Sequence, residues 1–154
     1  WNHHSLRSIR MRNDFIGSNY YTRYLVGKGI SLQTQESDLG WGIFPEGMYL
    51  TLKSLHNYKL PIYITENGIA DIHDRLREAF IKKHLSEVLR AIREGVDVRG
   101  YFYWSLLDNF EMPEARGFWP RFGLVEVDYK TLERKIRPSA WKYAEIIKAN
   151  AVPE

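Results

Sequence analysis

The sequence predicts a parallel α/β fold, on two observations: three apolar, β-branched or aromatic segments that each end in polar residues, and amphipathic helical patterns between them. The strand-like segments are residues 14–21, 61–65 and 98–106. The longest helical pattern covers residues 74–94, with Leu76, Phe80, Ile81, Leu85, Val88, Leu89 and Ile92 on one stripe and Gly95 as its stop. Shorter helices are expected after Pro45, with Met48, Leu52 and Leu55 inward, and after Pro138, with Trp141, Ile146 and Ile147 inward. Proline suits both starts because a first-turn N–H has no helical partner to lose. Strand and helix in alternation, joined by right-handed crossovers, give a parallel sheet rather than a sandwich or bundle. The strands recur at intervals of roughly 40 residues, somewhat more than one unit of a (β/α)8 barrel, whose eight units need about 250 residues. The 154 residues hold three such units. The chain is therefore expected to be a single piece, residues 1–154, of a larger barrel domain; a complete small three-stranded α/β domain is the competing reading.

With 44% hydrophobic and 14% aromatic residues, the composition is that of an ordinary globular protein. The 22 basic and 19 acidic residues, net +3, are scattered, so no basic stripe offers a nucleic-acid groove. No apolar run approaches the roughly 18 residues of a membrane span. The start, Trp1-Asn2-His3-His4, has neither an initiator Met nor a signal-peptide centre, so the chain is expected to begin mid-sequence, with the cytoplasm as the default location. The absence of Cys excludes disulfides, thiolate catalysis and Cys-based zinc sites. His3 and His4 are adjacent and diverge in strand or helix alike, which makes no metal site. Neither a Gly-rich phosphate loop nor a Ser-His-Asp set is present, and no metal or cofactor is expected.

In parallel α/β folds the side chains just beyond the C-terminal strand ends form the functional face. Here those ends carry Asn19-Tyr20-Tyr21, Glu66-Asn67-Gly68, and Trp104 through Asp108-Asn109-Phe110-Glu111. Glu66 directly follows an apolar strand, so its carboxylate is expected to be partly buried, where ionisation needs hydrogen-bond donors or a nearby cation. A tyrosine hydroxyl from the adjacent strand end is such a donor. The alternative is an acidic cap on the following helix, with Gly68 merely turning the chain. Trp104 and Glu111 suit a sugar, whose apolar faces stack on aromatic rings while its hydroxyl groups pair with carboxylates. Equally, Trp104 reads as a core residue and Glu111 as a solvated loop residue.

Ile64-Thr65-Glu66-Asn67-Gly68 resembles the nucleophile motif of glycoside hydrolase family 1, and its neighbours match in the same order. Residues 14–22, Asp-Phe-Ile-Gly-Ser-Asn-Tyr-Tyr-Thr, resemble the family's sixth-strand segment; Gly42-Ile43-Phe44-Pro45-Glu46-Gly47 resembles the next loop and helix start. Residues 103–111, then Arg121-Phe122-Gly123-Leu124 and Val127-Asp128-Tyr129, resemble the eighth strand and the loop beyond. The resemblance is strongest to archaeal or thermophilic β-glycosidases. It implies that the chain is the C-terminal portion, about strands 6 to 8, of a (β/α)8 TIM barrel and part of a retaining, β-glucosidase-like hydrolase of O-glycosidic bonds.

The resemblance assigns Glu66 as the nucleophile of a double displacement and Tyr21 as the hydrogen-bond donor that orients it and favours its ionised form. It places Asn19 as a site-lining polar residue, Trp104 beneath the glycone, Glu111 on its distal hydroxyl groups and Phe122 in the pocket wall. Asp108 and Asn109 are left to shape the loop. Two departures stand out. After Glu111 the family usually has Trp, which helps hold the sugar, and a short loop; here Met112 takes that substrate-binding position but cannot donate an indole hydrogen bond, and the loop to Gly117-Phe118 is longer. The family's acid/base carboxylate lies in an Asn-Glu-Pro motif at the fourth strand, and that motif does not occur here. The implied partners are a β-glycoside substrate and an N-terminal half-barrel that supplies the acid/base Glu. A non-catalytic sugar-binding half-barrel, or an assembly module, is the alternative function.

Overall fold

β1 (Ile16–Asn19), β2 (Ile62–Asn67) and β3 (Val98–Tyr103) form a parallel sheet in the order β1-β2-β3. The computed structural model describes residues 13–24, 35–112 and 116–153; the expectations for residues 1–4 lie outside them. Ile16 pairs with Ile62 and Ile62 with Val98, so the three strands start level. β1 and β3 are shorter than expected, because their polar ends leave the ladder to enter loops; β2 runs two residues further, to Asn67.

α1 (Pro45–Leu55) follows β1, α2 (Arg77–Arg93) follows β2, and α3 (Pro138–Ala149) follows β3, which gives three strand–helix units in sequence. The antiparallel hairpin of β4 (Val125–Val127) and β5 (Arg134–Ile136) intervenes before α3, where the sequence suggested only loop. The main core lies between the sheet and the first two helices: Ile62 and Ile64 from β2, Met48 and Leu52 from α1, and Val88 and Ala91 from α2. Each of these side chains larger than Ala91, fully buried, contributes roughly 1.5–3 kcal/mol. A second cluster joins Ile81, Leu124 and Ile146, and so fastens the hairpin and α3 to α2.

α2 begins at Arg77 rather than at residue 74. Asp71 Oδ2 accepts from the main-chain N–H groups of Leu76 (2.8 Å) and Arg77 (3.1 Å), which caps the first turn there. Its buried stripe is Arg77, Phe80, Ile81, His84, Val88 and Ala91. The expected stripe is thus rotated, leaving Ile92 exposed. Two polar residues set the rotation. Arg77 is fully buried but fully engaged: its Nε donates to Tyr103 Oη (3.0 Å), its Nη2 to the carbonyls of Asp71 (2.7 Å) and Arg121 (2.8 Å), and it pairs with Asp74. A buried cation whose three nitrogens all find acceptors is tolerated where an unpaired one is not. In α3 only Ser139 and Ile146 are buried; Trp141 and Ile147, expected inward, face outward. Gly95 ends α2 as expected, at φ +88° with its N–H on the Ile92 carbonyl (2.9 Å).

His84 is the second polar residue of the stripe. Its Nδ1 lies 2.8 Å from the Phe80 carbonyl and its ring packs on that of Phe80, centroids 3.9 Å apart. Burial pushes its pKa down from 6.5 to about 4. Between those values an unfolded chain takes up a proton that the folded chain refuses, so stability falls as pH drops through that window and levels off below it. Unfolding measured across pH should therefore show a loss of roughly 3 kcal/mol attributable to this residue. His84→Leu should flatten that part of the profile; an unchanged slope in the variant would refute the assignment.

Candidate active site

The site arises from a break in the alternation of β2. Ile62 and Ile64 are fully buried, so strict alternation would bury residue 66 and free residue 67. Instead Asn67 is fully buried and Glu66 is half-buried. The pairing register of β2 with β3 shifts between Ile64 and Asn67, and that of β1 with β2 between Ser18 and Asn19. These irregularities turn the Glu66 carboxylate into a cleft at the C-terminal ends of the strands. The next residue, Gly68, is obligatory: a Cβ there would lie 1.8 Å from the Trp104 carbonyl oxygen.

Tyr21 Oη donates to Glu66 Oε2 at 2.7 Å. Burial first, and the hydrogen bond with Glu66 second, push the tyrosine hydroxyl above its ordinary range, so it stays protonated and remains a donor. The Tyr21 ring is held by Trp41, with centroids 5.9 Å apart, and by Phe122, at 6.1 Å, both edge-on. Trp41 in turn is fixed by a short loop in which Ser37 Oγ accepts from the Trp41 N–H (3.2 Å) and Asp38 N donates to the Ala70 carbonyl (2.9 Å).

On the opposite side, Trp104 Nε1 (3.2 Å) and Asn109 Nδ2 (3.1 Å) both donate to Glu111 Oε1, and Ser105 Oγ donates to Asn109 Oδ1 (2.9 Å). Glu111 is buried at 8% exposure, so these donors fix a carboxylate that bulk water cannot support alone. The cleft between the two carboxylates has a volume of about 310 Å³ and is lined by Tyr21, Trp41, Glu66, Trp104, Asn109, Phe110, Glu111, Met112 and Phe122. Two carboxylates set among aromatic rings suit a neutral polyhydroxylated ligand with apolar faces.

The family model for glycosyl hydrolase family 1 matches residues 2–152. The chain belongs to glycosyl hydrolase family 1. It is 45% identical to a β-galactosidase of Sulfolobus acidocaldarius over 95% of this chain and 33% of that protein. A β-glucosidase A of Thermotoga maritima is 37% identical over 97% of this chain and 37% of its own length. Among solved structures, a family 1 β-glucosidase from Thermotoga maritima superposes with a TM-score of 0.91 at 36% identity, over 98% of this chain and 38% of that one. A β-glycosidase from Pyrococcus horikoshii superposes at 0.82 with 46% identity, over 92% and 36%. The chain thus spans about a third of the length of the curated relatives it matches, and its three strand–helix units are a portion of the barrel of family 1.

Of the residues that the family 1 resemblance singles out, Tyr21, Glu66, Trp104, Glu111, Met112 and Phe122 all line the one cleft. Asn19 does not. It is exposed, and its Oδ1 accepts from Thr65 Oγ1 at 2.6 Å. Trp41 and Asn109 line the cleft too. Trp41 stands in an irregular loop, where no periodicity points a side chain anywhere. Asn109, expected to shape the loop, holds Glu111. Asp108 fits the loop-shaping reading, being turned away from the cleft into a buried cluster with Arg121 and Arg137.

Proposed function

We propose that this chain is the C-terminal portion, about strands 6 to 8, of a retaining β-glycosidase, contributing the nucleophile Glu66 while the rest of the barrel contributes the acid/base carboxyl. The observation that carries this reading is the 2.7 Å hydrogen bond from Tyr21 to Glu66 at the rim of a cleft that also holds Trp104 and Glu111. In the first step a Glu66 oxygen attacks the anomeric carbon and the bond to the leaving oxygen breaks. The second carboxyl, typically about 5 to 5.5 Å from the first, protonates the departing oxygen. In the second step that group, now a carboxylate, removes a proton from water, which attacks the anomeric carbon and releases Glu66. Tyr21 donates to Glu66 in its ionised resting state and steadies the oxygen that does not bond to the sugar. Trp104 supplies a stacking face, and Glu111 accepts from glycone hydroxyl groups. β-Glucosides and β-galactosides are the proposed substrates, in line with the names of the relatives.

Open surfaces support the proposal that further strands complete the barrel. β1 and β3 each pair on one side only among the described residues, and Phe15 and Phe102 stand 53% and 58% exposed. Parallel sheets are ordinarily covered on both faces. The test is incubation with a 2-deoxy-2-fluoro glycoside bearing a good leaving group, with and without an N-terminal half-barrel in trans, then peptide mass mapping. Label on Glu66 only in the reconstituted sample is the expected result. Absence of label despite demonstrated assembly would favour a sugar-binding half-barrel without catalysis.

A further inference from the structure

Asn67 follows the proposed nucleophile directly, is fully buried, and has no task in the reaction just described. Its Nδ2 donates to the Tyr20 carbonyl at the end of β1 (2.7 Å), and its Oδ1 accepts from Tyr101 Oη on β3 (2.7 Å). Main-chain bonds reach in the same two directions: the Tyr20 N–H to the Glu66 carbonyl (3.0 Å) and the Trp104 N–H to the Asn67 carbonyl (2.9 Å). One residue therefore ties together the strand ends that carry Tyr21, Glu66 and Trp104.

The tie falls where the ladder fails to specify register. Both strand pairings slip at this level, between Ser18 and Asn19 on one side and between Ile64 and Asn67 on the other. A slip of one residue would return Glu66 to the buried face. Only a side chain with a donor at one end and an acceptor at the other satisfies both neighbours; Asp lacks the donor when ionised and Leu lacks both. In a buried position each unmet group is costly, so the carboxamide selects one arrangement of the three ends.

We propose that Asn67 is a positioning residue for the glycosidase reaction, its buried carboxamide fixing the three strand ends so that Glu66 faces the cleft and meets Tyr21. The proposal rests on the glycosidase reading above and goes beyond it, since that reading requires only that Glu66 and Tyr21 be present. Weakening the tie loosens the Tyr21 hydrogen bond and lets the Glu66 carboxylate move, so kcat should fall while KM holds.

The experiment compares wild type, Asn67→Leu and Tyr101→Phe in the assembled enzyme, by kcat and KM and by amide hydrogen exchange at Tyr20 and Trp104. Asn67→Leu should lower kcat roughly 10- to 100-fold, as expected for a small misplacement of reacting groups, with KM little changed. Both amides should exchange faster. Tyr101→Phe, which removes one hydroxyl and keeps the ring, should show the same changes on a smaller scale, and it keeps the test decisive if Asn67→Leu does not fold. A folded variant with wild-type kcat and exchange would overturn the proposal, as would a loss of stability with kcat unchanged. If wild type neither turns over nor labels at Glu66, it is the glycosidase reading that fails, and hydrogen exchange still judges separately whether Asn67 holds the strand ends.

Discussion

Glu66→Ala in the assembled enzyme is expected to lower kcat by about 10⁴-fold or more, because in the proposed mechanism the covalent intermediate forms on that carboxylate. Among the described cleft residues, the other carboxylate is Glu111, and it is held in place by Trp104 and Asn109. The alanine leaves room for a small anion beside the anomeric carbon, on the face that Glu66 occupied. Added azide should therefore restore turnover of a substrate with a good leaving group and yield the glycosyl azide of inverted configuration, identified by NMR. Activity surviving without azide would show that Glu66 is not the nucleophile. Tyr21→Phe should be milder. It removes one hydrogen bond to a charged group, worth about 1.5–3 kcal/mol, or roughly a 10- to 150-fold loss.

The strands, the helix order and most of the cleft were legible because each rests on a local signal. An apolar run ending in Thr65-Glu66-Asn67-Gly68 puts polar groups at a strand end, and Pro45, Gly95 and Pro138 mark helix boundaries by their backbone chemistry alone. What was not legible depends on distant partners. Arg77 and His84 fall outside the expected apolar stripe, yet they are buried and rotate the α2 stripe, because Asp71, Asp74, Tyr103 and the Arg121 carbonyl come together around Arg77. Adjacent Asp108 and Asn109 looked alike and part completely. The side chain of one turns into the interior and that of the other lines the cleft. The phase break that frees Glu66 leaves no mark in the pattern of residues 62–67, since it comes from pairing with β1 and β3.

Asp108 is also where the largest stability effect is expected. Its buried carboxylate accepts two bonds from Arg137, from Nη1 and Nη2 at 3.0 Å each, one from Arg121 (3.3 Å), and the main-chain N–H bonds of Gly123 (2.9 Å) and Val127 (3.3 Å). Asp108→Ala removes the counter-charge of Arg137, itself only 4% exposed, and orphans two buried N–H groups at the base of the hairpin. Breaking one side of such a pair costs about 3–5 kcal/mol, since the remaining guanidinium stays buried. Because the pair is inside the protein, salt cannot screen it, and urea unfolding should show the same loss at low and at high ionic strength. A loss that shrinks with added salt would mean the pair is solvated, and a loss under about 1 kcal/mol would mean that Arg137 finds other acceptors. The chemistry should suffer less than the fold. Glu66 and Tyr21 are held by the sheet, so the folded fraction should keep the hydrogen bond between them. Phe122, next to Gly123 on the segment that Asp108 anchors, should loosen against Tyr21, and the effect on substrate should fall on KM more than on kcat.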